Sequence, residues 1–420
     1  MTSEVVLMNR RAMAMAADSA TTVTSWRHGR KSTRYFKGTN KLFHLHKRDP
    51  VGMMINGAGN MQGVPWDVLI KSYRDSDGNS HEHLPGYMGH FFTWLEANSD
   101  AYPTSFLESQ FISDAIESAE RIFGQITKKL ESIDKANRKP EGLKLFAEAA
   151  KSIDAASFLA NLTKDDLKDV SAKMKDKVKA EFQNRSHTKI ICSEFGEDMV
   201  VDAAILGVFK VGHTTLEETG VIIGGFGKKD YFPSVETYAC YGRILGKLVL
   251  AREDDNCKVI DQRNTSEVLP FAQSEMIYTF AFGTSIDGLL QLDKDNQRAL
   301  DNFEDELRAG GHLAIGVSVD SLKQAAHDLF KNEIMDYFRA QNRTMRGVVG
   351  MLPVNELAEL SETLVSIESL KQRVTTDEES VSGPIDVAVI TKNDGFIWIK
   401  RKHYFKPELN PRFMARVTGG

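Results

Sequence analysis

The sequence predicts a layered α+β protein, because blocks of strand-like and helix-like sequence follow one another along its 420 residues. Strand-like runs come first, a long helical stretch covers residues 105–183, and both kinds of block return toward the C-terminus. Consecutive strand-like runs favour antiparallel hairpins, whereas a parallel sheet requires strict alternation of strand and helix. We therefore expect layered α+β packing in place of a strictly alternating parallel fold.

Two hairpins and a helix are predicted at the start of the chain. Residues 4–8 and 12–17 form short apolar runs around a polar turn, and residues 41–46 and 51–56 do the same. A glycine-containing turn then leads into a predicted helix over residues 61–73.

The remaining elements include a helical insertion. A lysine-rich stretch with nearly balancing acids is typical of a solvated insertion or lid, which we place at 130–185. Strand-like runs are expected at Ile190, 200–211, 220–225, 237–250 and 276–282. Two helices and a closing hairpin are expected over residues 318–343, 354–373, 385–391 and 395–400. The length allows one large domain or two ordinary domains, and of these we expect a single domain over residues 1–420, with an additional helical region at 290–350.

The composition gives no reason to expect nucleic-acid or membrane binding. A net charge of -5 and a pI near 6.2 provide no bulk attraction to polyanions. The N-terminus lacks a signal-peptide pattern and no run of eighteen apolar residues occurs, so neither export nor membrane spanning is expected. Three cysteines do not make a disulfide framework, and a cytoplasmic location is the simplest expectation.

Neither a metal nor a cofactor is predicted. His44 and His46 alternate on one predicted strand, and His81 and His83 do so in a loop, but neither pair has a third and fourth ligand nearby in sequence. The glycines of residues 224–227 lack the spacing of a dinucleotide-binding loop, and no Walker lysine follows them. We interpret all of these residues as structural.

Thr2 is the candidate nucleophile. A hydroxyl nucleophile needs a base, and an N-terminal threonine supplies one through its α-amino group, whose ordinary pKa is about 7.7–8.0. A small second residue permits removal of Met1, which would make Thr2 the terminus. Asp18 follows 16 positions later (18 minus 2), at the end of an apolar run.

The segment A-A-D-S-A-T-T, residues 16–22, resembles the proteasome β-subunit and bacterial ATP-dependent ring-peptidase superfamily. Members begin with a nucleophilic threonine and carry an A-x-D-S/G-x-x-T-like segment at this separation, so Thr2 and Asp18 match without a gap. The resemblance implies a four-layer αββα sandwich, in which two antiparallel sheets face each other between layers of helices. Helical insertions enlarge it here.

Two further site residues follow from that resemblance. The family aspartate pairs with a lysine at the start of the third strand, where Lys41 stands, and Lys37 is the competing position. Gly57 matches the turn whose backbone N–H forms the family's oxyanion hole. Glycine allows close approach of a substrate carbonyl to the main chain, and donors aimed at developing negative charge contribute strongly to acyl transfer.

Distal residues extend the resemblance. The segment E-S-V-S-G-P-I-D-V, residues 379–387, is similar to the family's D-x-x-S-G-G segment, which implies that Ser382 and Glu379 lie around the threonine amine. Glutamate replaces the usual aspartate, and its extra methylene changes the carboxylate position. Thr284 follows Gly283 where the family has a G-S-G turn after a central strand.

The function implied is that of a threonine-type peptidase or amidohydrolase acting on a peptide or amide substrate. An acylase acting on a small amide metabolite is the alternative enzyme, since the fold hosts several amide-cleaving activities. A non-catalytic assembly or binding subunit is the alternative from another class. The resemblance also implies a homo-oligomer, such as a ring, and a separate ATPase as partner, because this chain carries no nucleotide motif.

Overall fold

The computed structural model describes residues 3–27, 30–76, 78–314, 316–375, 383–403 and 405–418, and it confirms the α+β class. The strands are β1 (Ser3–Asn9), β2 (Ala12–Ala17), β3 (Ala20–Arg27), β4 (Arg30–Lys37), β5 (Leu42–His44), β6 (Val51–Gly57), β7 (Asn60–Met61), β8 (Val64–Pro65), β9 (Thr219–Gly225), β10 (Ser234–Ile244), β11 (Lys247–Arg252), β12 (Lys258–Val259), β13 (Ser266–Ala272), β14 (Asp386–Thr391) and β15 (Gly395–Lys400).

Helices fill much of the remaining described chain. The α-helices are α1 (Trp66–Ser76), α2 (Leu84–Ala97), α3 (Thr104–Leu130), α4 (Arg138–Ala155), α5 (Lys164–Asn184), α6 (Ser186–Phe195), α7 (Glu197–Val211), α8 (Glu275–Phe282), α9 (Ile286–Ala309), α10 (Asp320–Met351), α11 (Val354–Thr375) and α12 (Pro411–Thr418). Short 3-10 helices lie at Lys135–Asn137, Gly212–Thr214, Asp254–Asn256 and Pro407–Leu409. No helix in these described ranges is long and apolar enough to cross a membrane.

Two antiparallel sheets contain the predicted hairpins. The first sheet has the order β13-β1-β2-β14-β15, so the opening and closing hairpins lie side by side. The second has the order β11-β10-β9-β6-β5, with β12 beside β10, and includes the second predicted hairpin. Strands β3 and β4 form a separate hairpin in the stretch between Asp18 and Lys41.

Methionine and aliphatic side chains of both sheets share one hydrophobic cluster. Met13 and Met15 of β2 meet Met54 of β6 and Ile222 of β9 in this cluster. Gly224 permits the close approach, because a Cβ there would lie 2.4 Å from the Met13 sulfur. The two sheets therefore pack against each other through these faces.

Helices cover the opposite face of each sheet. Helices α8, α10 and α11 pack on the first sheet, and α1 and α2 pack on the second. Helices α3 to α7 form a cluster of their own, which continues onto Ile244 of β10 and Val249 of β11. The long helical segment thus packs against the β10–β11 side of the second sheet.

Three strand predictions are wrong. Ile190 lies in α6, residues 200–211 lie in α7, and residues 276–282 lie in α8. Helix α7 is apolar on most sides because helices α3 to α6 all contact it, so its sequence lacks the one-sided helical pattern. A short apolar run of this kind cannot be distinguished from a buried strand by its periodicity.

Candidate active site

A buried ion pair joins the ends of the two sheets. Asp18 follows β2 of the first sheet and Lys41 precedes β5 of the second. The Lys41 Nζ lies 2.7 Å from Asp18 Oδ1, and the two residues are only 4% and 1% exposed. The sequence-predicted pairing of these two residues is therefore present in the structure. Lys37, the competing lysine, is exposed at the end of β4.

Backbone groups hold the Asp18 carboxylate in place. The Ser3 N–H donates to Oδ1 at 3.1 Å, and the Ala20 N–H donates to Oδ2 at 3.1 Å. The Asp18 N–H in turn donates to the Ser3 carbonyl at 3.1 Å. A buried ion pair needs such additional hydrogen bonds to offset the desolvation of its charges. The start of β1 is thereby fixed directly against the ion pair.

Gly57 ends β6 close to Lys41. The Ile55 N–H, two residues before Gly57, donates to the Lys41 carbonyl at 3.0 Å. Gly57 has φ +78, and a Cβ there would lie 2.4 Å from the Glu218 carbonyl oxygen. Both its backbone conformation and the close approach of β9 thus require glycine. The next residue is held by Thr219, whose hydroxyl donates to the Ala58 carbonyl at 3.0 Å.

Glu4 is a buried acid beside this pair that the sequence analysis did not single out. It is 0% exposed in β1, and burial raises its pKa well above the ordinary value. The neighbouring Asp18 charge acts in the same direction, whereas Lys41 lowers the Glu4 pKa. The available signal was a carboxylate within the otherwise apolar run of β1, SEVVLMN.

A second buried ion pair, between Asp386 and Lys402, lies at the same end of the first sheet and was not predicted from the sequence. Asp386 begins β14 directly opposite Ala17, which in turn lies opposite Glu4. Its carboxylate accepts the Lys402 N–H at 2.8 Å and contacts the Lys402 ammonium. Burial lowers the pKa of Lys402, the Asp386 carboxylate opposes that shift, and the charge of Lys41 adds to it. The ion pairs are therefore close enough to influence each other.

Thr2, Glu379 and Ser382 lie outside the described residues. The end of the distal segment is described, however, and it contacts the residue after Asp18. The Ser19 hydroxyl donates to the Pro384 carbonyl, and a Cβ on Gly383 would lie 3.5 Å from the Ser19 Cβ.

Thr284 has a different context from the one expected. The preceding segment is helix α8 instead of a strand, so Thr284 lies in the connection between α8 and α9. The adjacent Ser285 caps α9, because its hydroxyl accepts the Gly288 N–H at 3.0 Å. This local structure explains the polar G-T-S sequence by helix capping.

The histidines have structural neighbours. His44 stacks on Phe396 with ring centroids 4.6 Å apart, and burial lowers its pKa to about 4. His83 contacts the Asp230 carboxylate at 2.6 Å. Within the described ranges, no group of three or more His, Cys, Asp or Glu side chains is arranged to hold a metal ion.

Comparison with known proteins gives matches among solved structures alone, since neither a family model nor a curated protein matches the chain. One solved structure is a Gly-1 mutant of Anbu from Hyphomicrobium sp. strain MC1, at 9% identity and a TM-score of 0.25, covering 100% of this chain and 96% of that one. Another is Anbu, described as an ancestral beta-subunit, from Yersinia bercovieri, at 9% identity and a TM-score of 0.26, covering 99% and 95%. At these TM-scores the likeness carries no argument about function.

Proposed function

We propose that this chain is an N-terminal nucleophile hydrolase of the threonine type, which cleaves amide bonds with Thr2 after removal of Met1. The supporting observation is the contact between Ser3 and the buried Asp18–Lys41 pair. The Ser3 nitrogen is the atom through which residue 2 is bonded to the described chain. A terminal threonine at that position would carry its amine and hydroxyl next to a buried lysine and aspartate.

The proposed reaction has two steps. The Thr2 Oγ attacks the amide carbonyl carbon, and its proton passes to the Thr2 amine. That proton then goes to the departing amine as the C–N bond breaks, which leaves an ester on Thr2. Water activated by the same amine hydrolyses the ester and restores the hydroxyl.

The described residues would assist both steps through charge. The Lys41 ammonium, kept in place by Asp18, favours the negative charge that develops on Oγ during attack. The Gly57 N–H is the proposed donor to the oxyanion of the tetrahedral intermediate. Ser382 and Glu379 are assigned to the surroundings of the amine by sequence similarity alone.

The arrangement of layers supports the same proposal. Helices cover the outer face of each sheet while the inner faces share a cluster, as expected of the four-layer αββα sandwich of N-terminal nucleophile hydrolases. We extend the proposal to assembly as a homo-oligomer that works with a separate ATPase.

The test compares three forms of the protein on peptide and acylated small-molecule amides. Wild type should hydrolyse one of these classes, whereas Thr2→Ala and a form that retains Met1 should lose at least about a thousandfold in kcat/KM, as expected when a nucleophile or its base is removed. Thr2→Ser serves as the matched control, since it keeps a hydroxyl and a free amine. Activity that survives in Thr2→Ala would eliminate the mechanism, and preference for a small amide would favour the acylase.

A further inference from the structure

Glu4 lies on the inner face of the first sheet. Side chains alternate between the two faces of a strand, so Glu4 shares a face with Val6 and Met8. Both of these pack in the hydrophobic cluster between the sheets. The carboxyl of Glu4 is therefore directed into the space between the sheets, at the end where Asp18 and Lys41 meet.

Few polar groups surround the Glu4 carboxyl. Within the described part of the chain, neither Glu4 oxygen has a hydrogen-bond partner. The charged groups acting on it are Lys41, at the start of β5, and Asp18, at the end of β2. The Asn56 side chain of β6 also acts on this carboxyl and lowers its pKa. One lysine thus stands between two buried carboxyl groups and contacts only one of them closely.

We propose that Glu4 is a positioning residue of the candidate site, a neutral carboxylic acid whose lack of charge leaves Lys41 on Asp18. The inference rests on the proposed function, in which Lys41 acts on Thr2. If Glu4 ionised, its charge would attract the same ammonium and draw it away from Asp18. The protonation state of Glu4 would then decide which carboxylate Lys41 faces.

Charge balance favours the neutral acid. Lys41 and Asp18 already form a balanced pair, so a second buried carboxylate would leave one uncompensated negative charge in the protein interior. Burial, the largest effect, and the Asp18 charge both raise the Glu4 pKa, and the Lys41 charge and the Asn56 side chain oppose them without reversing the shift. A group this deeply buried avoids the cost by keeping its proton.

The first test measures stability against pH. Because the folded-state pKa of Glu4 is raised, the folded chain binds one more proton than the unfolded chain above the ordinary glutamate pKa, and stability falls as pH rises. In urea titrations from about pH 5 upward, the unfolding constant of wild type relative to Glu4→Gln should increase about tenfold per pH unit while Glu4 stays neutral. Glu306→Gln removes an exposed carboxylate and is the control. A ratio that is flat with pH overturns the proposal.

The second test measures the position of Lys41 through the pH dependence of hydrolysis. The kcat/KM of wild type should decline at the high pH at which Glu4 ionises, whereas the profile of Glu4→Gln should lack this decline. A Glu4→Gln profile that is lowered equally at every pH contradicts the positioning role. Absence of hydrolysis in every form contradicts the proposed function instead, and the stability ratio still shows whether Glu4 is neutral.

Discussion

Replacing Asp18 by asparagine should destabilise the protein in a way that depends on pH. In a Glu4→Gln background, where no second carboxylate can form beside Lys41, the substitution leaves the Lys41 ammonium, whose side chain is 5% exposed, without the Asp18 carboxylate. Breaking a buried ion pair by removing one partner typically costs about 3–5 kcal/mol. A buried lysine can also avoid this cost by releasing its proton, which sets an upper limit on the loss of stability. From an ordinary lysine pKa of about 10.4, releasing the proton costs about 4.6 kcal/mol at pH 7 and about 1.9 kcal/mol at pH 9.

The assay is urea unfolding of Glu4→Gln, with and without the added Asp18→Asn substitution, at both pH values. We expect the difference in free energy of unfolding to be about 3–4.6 kcal/mol at pH 7 and no more than about 1.9 kcal/mol at pH 9. Asp336→Asn is the control, since the Asp336 side chain is 70% exposed and its change should stay within about 0.5 kcal/mol. A loss that is the same at both pH values would refute the reasoning, because it would show that no buried ammonium is left behind.

Three further predictions concern the surroundings of the site and the helical segment. Gly57→Ala should lower the free energy of unfolding by more than about 2 kcal/mol, measured by heat or urea, because the φ of +78 is strained for alanine and the new Cβ meets a carbonyl oxygen. Gly59→Ala is the control and should leave stability unchanged, since open space surrounds Gly59. Lys402→Met should cost about 3 kcal/mol at pH 7, because it leaves the buried Asp386 carboxylate without the Lys402 ammonium, and a loss below about 1 kcal/mol would contradict this. Burial raises the pKa of Asp114 to about 6, so stability is lost as pH rises from about 4 to 6. Asp114→Asn should therefore gain up to about 3 kcal/mol in free energy of unfolding at pH 7 and nothing near pH 4. No gain at pH 7 would show that the pKa of this carboxyl is not raised.

The sequence was most informative where two short apolar runs are separated by a polar turn. The opening, second and closing hairpins are confirmed, and each pairs two apolar runs across a short polar turn. The fixed separation between Thr2 and Asp18 identified the aspartate, and the strand start identified Lys41 as its partner. The hairpins follow from local pattern, which a single sequence displays directly, whereas the pairing of Asp18 with Lys41 was expected only from the family resemblance.

Other features depend on tertiary context and were beyond reach. Helix α7 was mistaken for a strand because other helices surround it, so its sequence lacks a polar face. The nearness of Glu4 and Asp386 to the ion pair follows from the register of β1, β2 and β14, which joins distant parts of the chain. The requirement for glycine at 57 likewise comes from contact with Glu218, far away in sequence.

The most direct test of the central claim is mass spectrometry of the purified protein after treatment with a β-lactone, an electrophile that acylates activated hydroxyl groups. The account predicts an intact mass lacking Met1 and a single adduct that peptide mapping assigns to Thr2, absent in Thr2→Ala and strongly reduced in Lys41→Met. A protein that lacks Met1 but carries no adduct on Thr2, or one labelled equally well without Lys41, would contradict it.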